Sequence, residues 1–348
     1  MLAVVAVDVV HDLALLSGTF DSPVALALAA ETPQQGTRIY SLGHPHDLPL
    51  TIVEGTINRL LGDNFLGKIH LTASINSGMS GGPTILANGT VIGINVQSAG
   101  NQVGFVIPAS EAVRMTGRAA APGYRVNEDL TDEVRLQLLA HQDAFFADVL
   151  ALESFETRPM GPFDVPSDFA SFLDCWGQDS GGATDLFEST LRSCSMRDEI
   201  FLENGITAGA ITVEHHYLST EQLGPFRFYT LYQSLFDSGF YGGYGHTEDL
   251  TDYVCETAYV ESPASTEMNA GSANNAGGAN GEALVLKAVF CARRYVKLAE
   301  LYDVVFKVAT LGDDDRGLSS RMSLSGVSFE NGRGLAQRFL RSIKRRAE

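Results

Sequence analysis

The residues best suited to covalent chemistry lie in a glycine-rich stretch, residues 75–83, which reads I-N-S-G-M-S-G-G-P. A nucleophilic serine needs an exposed hydroxyl on a tight turn and two backbone N–H groups that converge on an oxyanion. Gly78 can adopt the unusual backbone angles that let its N–H and that of Ser80 form such a hole. The stretch therefore predicts acyl-transfer chemistry at Ser80.

The elements that must position this serine are short strands. In the first 110 residues, apolar runs alternate with turn residues, and Asn88-Gly89 between two runs is a strong β-hairpin signal. The pattern predicts an all-β segment, which we expect to form a barrel. The predicted strands cover residues 37–42, 50–57, 67–71, 90–96 and 102–107.

Two further motifs follow the glycine-rich stretch in order, V-I-G-I-N at 91–95 and G-F-V-I-P at 104–108. A third precedes it, D-L-A-L-L at 12–16. Together they resemble the trypsin-fold serine proteases, most closely the HtrA-like bacterial branch. The resemblance covers about residues 3–110 and implies a trypsin-like fold and peptidase activity for that part of the chain.

The resemblance also implies roles for individual residues. Ser80 corresponds to the nucleophile, Asp12 to the acid of the triad, and the N–H groups of Gly78 and Ser80 to the oxyanion hole. Ser74 corresponds to the floor of the S1 pocket, and because it is not Asp we expect small or aliphatic P1 residues rather than Arg or Lys. The strand that would pair with the substrate backbone contributes Val96, Gln97 and Ser98.

The triad base has no clear counterpart. The order in this family is His, Asp, Ser, and the only histidine before Asp12 is His11. Adjacent residues cannot serve as base and orienting acid in the family geometry. His44 and His46 are possible substitutes, but they match a turn of the family. We therefore expect that the base and the opening strands of the first barrel were lost through truncation or a wrong start codon.

Two functional hypotheses follow. The first is a serine endopeptidase that forms an acyl-enzyme on Ser80 and acts on proteins or peptides; without its base, the chain as given is expected to hydrolyse poorly. The alternative is a non-catalytic, protease-like binding protein whose C-terminal domain recognises a partner. The expected fold is mainly β: a partial trypsin-like double barrel with an incomplete first barrel, then a helix, then a β-rich C-terminal domain.

The predicted domain boundaries are 1–114 for the protease-like domain, 115–158 for a linker (115–125) and a helix, and 159–348 for the C-terminal domain. We expect Thr131 to cap the helix, followed by Asp132 and Glu133 in its first turn. A flexible loop is expected at 270–281, and the aromatic cluster from Phe226 to Tyr244 is expected to lie in a core. Strands are predicted at 208–213, 226–231, 283–290, 302–311 and 322–329.

All the cysteines follow residue 170, at spacings that suggest two local disulfides, Cys175–Cys194 and Cys255–Cys291. Four buried thiols are the alternative. Disulfides would place the protein in an oxidising compartment, the periplasm or the exterior. The stretch G-Q-D-S-G-G at 177–182 contains a second protease-like signature, D-S-G-G, but it lacks the following Pro and is interpreted as a glycine loop beside Cys175.

Composition excludes other classes. The formal net charge of −18 disfavours nucleic acid as a partner, and no apolar run approaches the ~18–20 residues of a membrane span. We predict no cofactor and no metal, since no cysteine pair or spaced histidines match a zinc pattern and His215, His216 and His246 are isolated.

The basic C-terminal helix, with Leu335, Phe339 and Ile343 on one face, is expected to dock on its own domain; weak contact with anionic lipid is the alternative.

Overall fold

The computed structural model describes residues 2–19, 21, 24–60, 66–98, 100, 102–167, 169–182, 185–196, 198–203, 206–238, 247–262 and 284–346. The chain divides into two compact units, Met1–Leu138 and Leu139–Glu348. The three-part division predicted above stays a prediction. The loop expected at 270–281, the later aromatic residues of the predicted cluster and His246 lie outside the described residues.

The first unit is a β-barrel preceded by a hairpin, as expected for a mainly β protein. The hairpin pairs β1 (Ala3–Asp8) with β2 (Leu13–Ser17). The barrel closes because β3 and β6 pair with each other, and its strand order is β3-β4-β5-β8-β7-β6. Its strands are β3 (Arg38–Gly43), β4 (Thr51–Leu60), β5 (Ile69–Leu71), β6 (Pro83–Ile85), β7 (Val91–Ser98) and β8 (Gly104–Pro108).

Each barrel strand overlaps a predicted run, except β6, which begins at Pro83, the last residue of the glycine-rich stretch. The helices differ more from their predicted bounds than the strands do. Helix α1 (Ala109–Ala119) extends into the predicted linker, and α2 (Leu130–Ala151) ends earlier than expected. The prediction that Thr131 caps α2 is wrong. The Asp129 carboxylate accepts hydrogen bonds from the N–H of Thr131 at 3.0 Å and from that of Asp132 at 3.3 Å. Asp129 therefore caps α2.

The second unit contains a seven-stranded antiparallel sheet of order β11-β12-β15-β19-β18-β17-β16. A three-stranded sheet (β20-β10-β9) and a β13–β14 hairpin accompany it. The strands are β9 (Thr157–Met160), β10 (Phe163–Pro166), β11 (Leu173–Ser180), β12 (Glu188–Met196), β13 (Ile200–Glu203), β14 (Ile206–Ala208), β15 (Ile211–Ser219), β16 (Val254–Ser262), β17 (Leu284–Arg294), β18 (Leu301–Leu311), β19 (Arg316–Ser328) and β20 (Lys344–Arg345).

Opposite faces of this sheet pack against different helices. Val304 and Phe306 of β18 lie in one core with α4 (Phe329–Ser342), whereas Val305 lies in another with α3 (Pro225–Asp237). This alternation follows from the two-residue period of a strand. The apolar face of α4 is therefore buried within its own unit, as the docking prediction stated.

The strand predicted at 226–231 is wrong, because these residues begin helix α3. Aromatic residues favour strands in general, but Phe228, Tyr232 and Phe236 recur every four residues and are buried together on one helical face. They confirm that part of the aromatic cluster is core. Phe226, on the other face, is 92% exposed.

Both predicted disulfides are present, Cys175–Cys194 and Cys255–Cys291. Each joins directly opposite residues, in the β11–β12 pair and in the β16–β17 pair. Since β11 and β16 are the two edge strands, each disulfide ties one edge of the sheet to its neighbour. The predicted glycine loop at 177–182 is instead mostly strand, because β11 extends to Ser180.

Candidate active site

The turn that presents Ser80 is anchored in the barrel core by the preceding residue. Met79 is 0% exposed and packs among the barrel's buried aliphatic side chains, whereas Ser80 is exposed. A Cβ on Gly43 would come within 2.7 Å of the Met79 Cα, so glycine is needed where β3 passes the turn. The neighbouring residues thus fix the backbone of Ser80 and leave its hydroxyl accessible.

The amides of this turn divide into two groups. The N–H groups of Met79, Gly81 and Gly82 donate to the carbonyl oxygens of Asn76, Asn95 and Met79, at 3.0, 2.8 and 3.1 Å. Within the described part of the chain, the N–H groups of Gly78 and Ser80 have no such acceptor. These are the two amides that the sequence assigned to the oxyanion hole.

Gly78 is required for this arrangement. Its φ of +94° lies in the region that favours glycine. A Cβ there would also lie 2.4 Å from the carbonyl oxygen of His44. The neighbouring loop braces the turn from the same side, because the N–H of His46 donates to the Ser77 carbonyl at 3.1 Å.

Asn95 fixes the turn from behind, a role the sequence analysis missed. Its buried side-chain amide donates to the carbonyl oxygens of Leu42 at 3.0 Å and Met79 at 3.2 Å. Its Oδ1 accepts from the Thr84 hydroxyl at 2.7 Å. The sequence did contain a signal for this role, because Asn95 is a polar residue at the end of the otherwise apolar V-I-G-I-N motif.

Asp12 lies in the turn between β1 and β2 with a positive φ of 53°. Burial raises the pKa of its carboxyl above the ordinary value, and the charge of Lys68 opposes this only in part. Among the described residues no hydrogen bond joins Asp12 to Ser80. Asp12 and Ser80 are therefore candidate catalytic residues without a direct contact between them.

The histidine beside Asp12 is held by other carboxylates. His11 Nδ1 lies 3.0 Å from both carboxylate oxygens of Asp8, and its Nε2 lies 3.7 Å from Glu111 Oε2. Burial acts to raise the pKa of Asp8, but the hydrogen bond and charge of His11 bring it below its ordinary value. His11 is thus engaged away from the Asp12 carboxylate.

The residues expected to bind substrate lie on or beside the barrel strands. Ser74 is half-buried, and its carbonyl accepts from Asn76 Nδ2 at 3.2 Å. In β7, Val96 is half-buried while Gln97 and Ser98 are exposed. Gln97 Oε1 accepts from Lys68 Nζ at 2.9 Å, so the exposed end of β7 is tied to the segment that leads into β5.

Residues 2–94 match the family model described as a trypsin-like peptidase domain. The chain is 30% identical over 122 residues to the magnetosome formation protease MamE of Paramagnetospirillum magneticum, covering 31% of this chain and 17% of that protein. It is 33% identical over 111 residues to the putative serine protease HhoA of Synechocystis, covering 29% of this chain and 28% of that protein. The matches therefore span less than a third of the length of these relatives.

Other similar proteins have related names. The probable periplasmic serine endoprotease DegP-like of Buchnera aphidicola is 27% identical over 151 residues, which cover 37% of this chain and 32% of that protein. A solved serine endoprotease from Yersinia pestis aligns with a TM-score of 0.32 and 28% identity, over 36% of this chain and 46% of that one. The sequence matches confirm that the N-terminal part of the chain resembles trypsin-like, HtrA-related serine peptidases.

Among the described residues, no helix is both long enough and apolar enough to span a bilayer.

Proposed function

We propose that this protein is a serine endopeptidase in which Ser80 forms the acyl-enzyme. The observation that supports this most is the turn at residues 76–82. It exposes the Ser80 hydroxyl and leaves two neighbouring amides without acceptors in the described structure, while hydrogen bonds hold the amides around them. Preorganised donors of this kind stabilise an oxyanion more than a substrate carbonyl.

In the proposed reaction, Ser80 Oγ bonds to the peptide carbonyl carbon, and the N–H groups of Gly78 and Ser80 hold the oxyanion. The C–N bond then breaks, the amine leaves with a proton from the base, and water releases the acyl group by the same steps in reverse. Asp12 would orient the base. Ser74 would form the floor of the S1 pocket, and Val96 to Ser98 would pair with the substrate backbone.

The proposed reaction needs a base that accepts the Ser80 proton. His11 is a poor candidate because both of its ring nitrogens face carboxylates. We therefore infer that this chain hydrolyses peptides slowly. The same observation favours a second candidate function, a protease-like binding protein that does not turn over substrate.

An extracytoplasmic location fits this proposal. The two disulfides would form and persist in an oxidising compartment, and one relative is named as periplasmic. We propose the periplasm or the exterior as the site of action, with proteins or peptides as substrates.

The test is covalent labelling with a fluorophosphonate, followed by mass spectrometry of the labelled peptide. We expect slow labelling at Ser80 that free imidazole accelerates, because a diffusible imidazole can accept the Ser80 proton. Ser80→Ala should abolish the label. Ser77→Ala is the matched control, an exposed serine in the same turn, and should label like the unmodified chain. If Ser80 is not labelled even with imidazole, the peptidase proposal fails and the binding function is favoured.

A further inference from the structure

A second cluster of reactive side chains lies in the first unit, outside the Ser80 turn. Asp8 ends β1, His11 lies in the turn that follows, and Glu111 lies in the first turn of α1. One ligand-type atom from each residue can be chosen so that all lie within 4.8 Å of one another. All three residues are half-buried.

A metal ion here would use one nitrogen of the imidazole and one oxygen of each carboxylate. Two ligand atoms about 2.0–2.1 Å from a tetrahedral Zn²⁺ ion lie about 3.3 Å from each other. An imidazole binds one ion through one nitrogen, so the ligand would be either Nδ1, 3.0 Å from the Asp8 oxygens, or Nε2, 3.7 Å from Glu111 Oε2. In either case the carboxylate on the other side of the ring must approach, from a set of three atoms that lie within 4.8 Å of one another. One imidazole with two carboxylates is a donor set for borderline divalent ions, whereas Ca²⁺ and Mg²⁺ prefer oxygen alone.

We propose that Asp8, His11 and Glu111 bind one divalent transition-metal ion of the Zn²⁺ class, with water completing its coordination. The site shares no residue with the proposed peptidase reaction. Binding would replace the contacts between His11 and the carboxylates and would tie the β1–β2 turn to α1. Because Asp12 follows His11 directly, the ion would also restrict the backbone of that turn.

Two arginines, Arg114 and Arg118, lie beside this cluster. The guanidinium of Arg114 pairs with the Glu111 carboxylate, and that of Arg118 donates to the Val7 carbonyl at 2.6 Å. Arg114 therefore competes with a cation for Glu111. Arg114→Gln should bind the metal more tightly than the unmodified chain, an outcome that a purely structural role for the cluster would not produce.

The experiment is calorimetric titration of the untagged full chain with Zn²⁺ after treatment with a chelator, and with Co²⁺ followed by its visible absorption. We expect one ion per chain and at least tenfold weaker binding for His11→Ala and for Glu111→Gln. Arg114→Gln should bind severalfold tighter. His44→Ala, which removes an exposed histidine of the same unit, should bind as the unmodified chain does.

Circular dichroism would show whether each variant folds, and Glu111→Gln keeps the shape of the side chain should His11→Ala not fold. The proposal is overturned if no stoichiometric binding occurs at micromolar metal. It is also overturned if folded Glu111→Gln binds with unchanged affinity, or if His44→Ala weakens binding as much as His11→Ala does.

Discussion

The Asn95 side-chain amide donates to the carbonyl oxygen of Met79 at 3.2 Å, so a buried side chain of β7 holds the residue immediately before the exposed Ser80. The same amide group bonds Leu42 of β3. One side chain therefore links β7, β3 and the turn that precedes β6. The contact therefore helps to fix the backbone that carries the Ser80 hydroxyl.

Asn95→Ala should lower the free energy of unfolding by about 2–3 kcal/mol, because it leaves buried carbonyls and the Thr84 hydroxyl without their partner. Urea unfolding of the full chain would measure the loss. Asn76→Ala is the control, since Asn76 is exposed and makes one side-chain bond, to the Ser74 carbonyl. A loss no larger than that of the control would contradict the role given to Asn95.

Gly78→Ala and Gly81→Ala form a matched pair in one turn. Both glycines have positive φ, +94° and +79°, but only at Gly78 would a Cβ approach another atom closely, the His44 oxygen at 2.4 Å. Gly81→Ala should cost about 1–2 kcal/mol from its backbone conformation alone. Gly78→Ala should cost more and should also prevent labelling of Ser80, because the turn must move. Unfolding curves and fluorophosphonate labelling would measure both, and equal effects on stability would contradict this.

The two disulfides should each stabilise the second unit by holding an edge strand to the sheet. They close loops of 19 and 36 residues, for which chain entropy predicts about 3 and about 4 kcal/mol. Replacing Cys175 and Cys194 together by Ala, or Cys255 and Cys291 together, should lower the unfolding free energy by these amounts. Urea unfolding would measure it.

The control for this prediction is a variant with all four cysteines replaced by Ala. A reducing agent should destabilise the unmodified chain and leave that variant unchanged. If the reducing agent has no effect on the unmodified chain, the disulfides do not contribute as described.

Much of the barrel could be predicted because its signals are local. Alternating apolar residues and the Asn88-Gly89 turn mark strands over a few residues. Helix α3 was mistaken for a strand because the aromatic run from Phe226 suggests β structure, while the four-residue spacing of Phe228, Tyr232 and Phe236 appears only over a longer window. The helical spacing was therefore present in the sequence, but the strand preference of aromatic residues was given more weight.

The candidate site also combines local features, which the sequence shows, with long-range contacts, which it does not. The Ser80 turn lies within nine consecutive residues, 75–83, so its motif could be read directly. The contact of Asn95 with Leu42 joins residues 53 positions apart, and Glu111 meets His11 only after α1 folds back beside the hairpin. Such pairings depend on strand register and helix packing, which a single sequence does not specify.

His215 provides a test of stability against pH. The residue is buried in β15, where its Nδ1 contacts the Ser320 hydroxyl at 2.8 Å and its Nε2 contacts the Pro166 carbonyl at 2.7 Å. Because a carbonyl can only accept, Nε2 carries the proton and Nδ1 accepts from Ser320. Burial lowers the pKa of His215 from 6.5 to about 3, so the ring is neutral in the folded protein at neutral pH.

The unfolded chain therefore binds a proton at His215 more readily than the folded chain does, and stability should fall as the pH drops from about 6.5 towards 3. One such group contributes a slope of at most about 1.4 kcal/mol per pH unit. His215→Gln should remove this part of the slope, measured as the unfolding free energy between pH 4 and pH 7. His44→Gln, at an exposed position, should keep the full slope, and an unchanged slope in His215→Gln would show that the buried imidazole is not the titrating group.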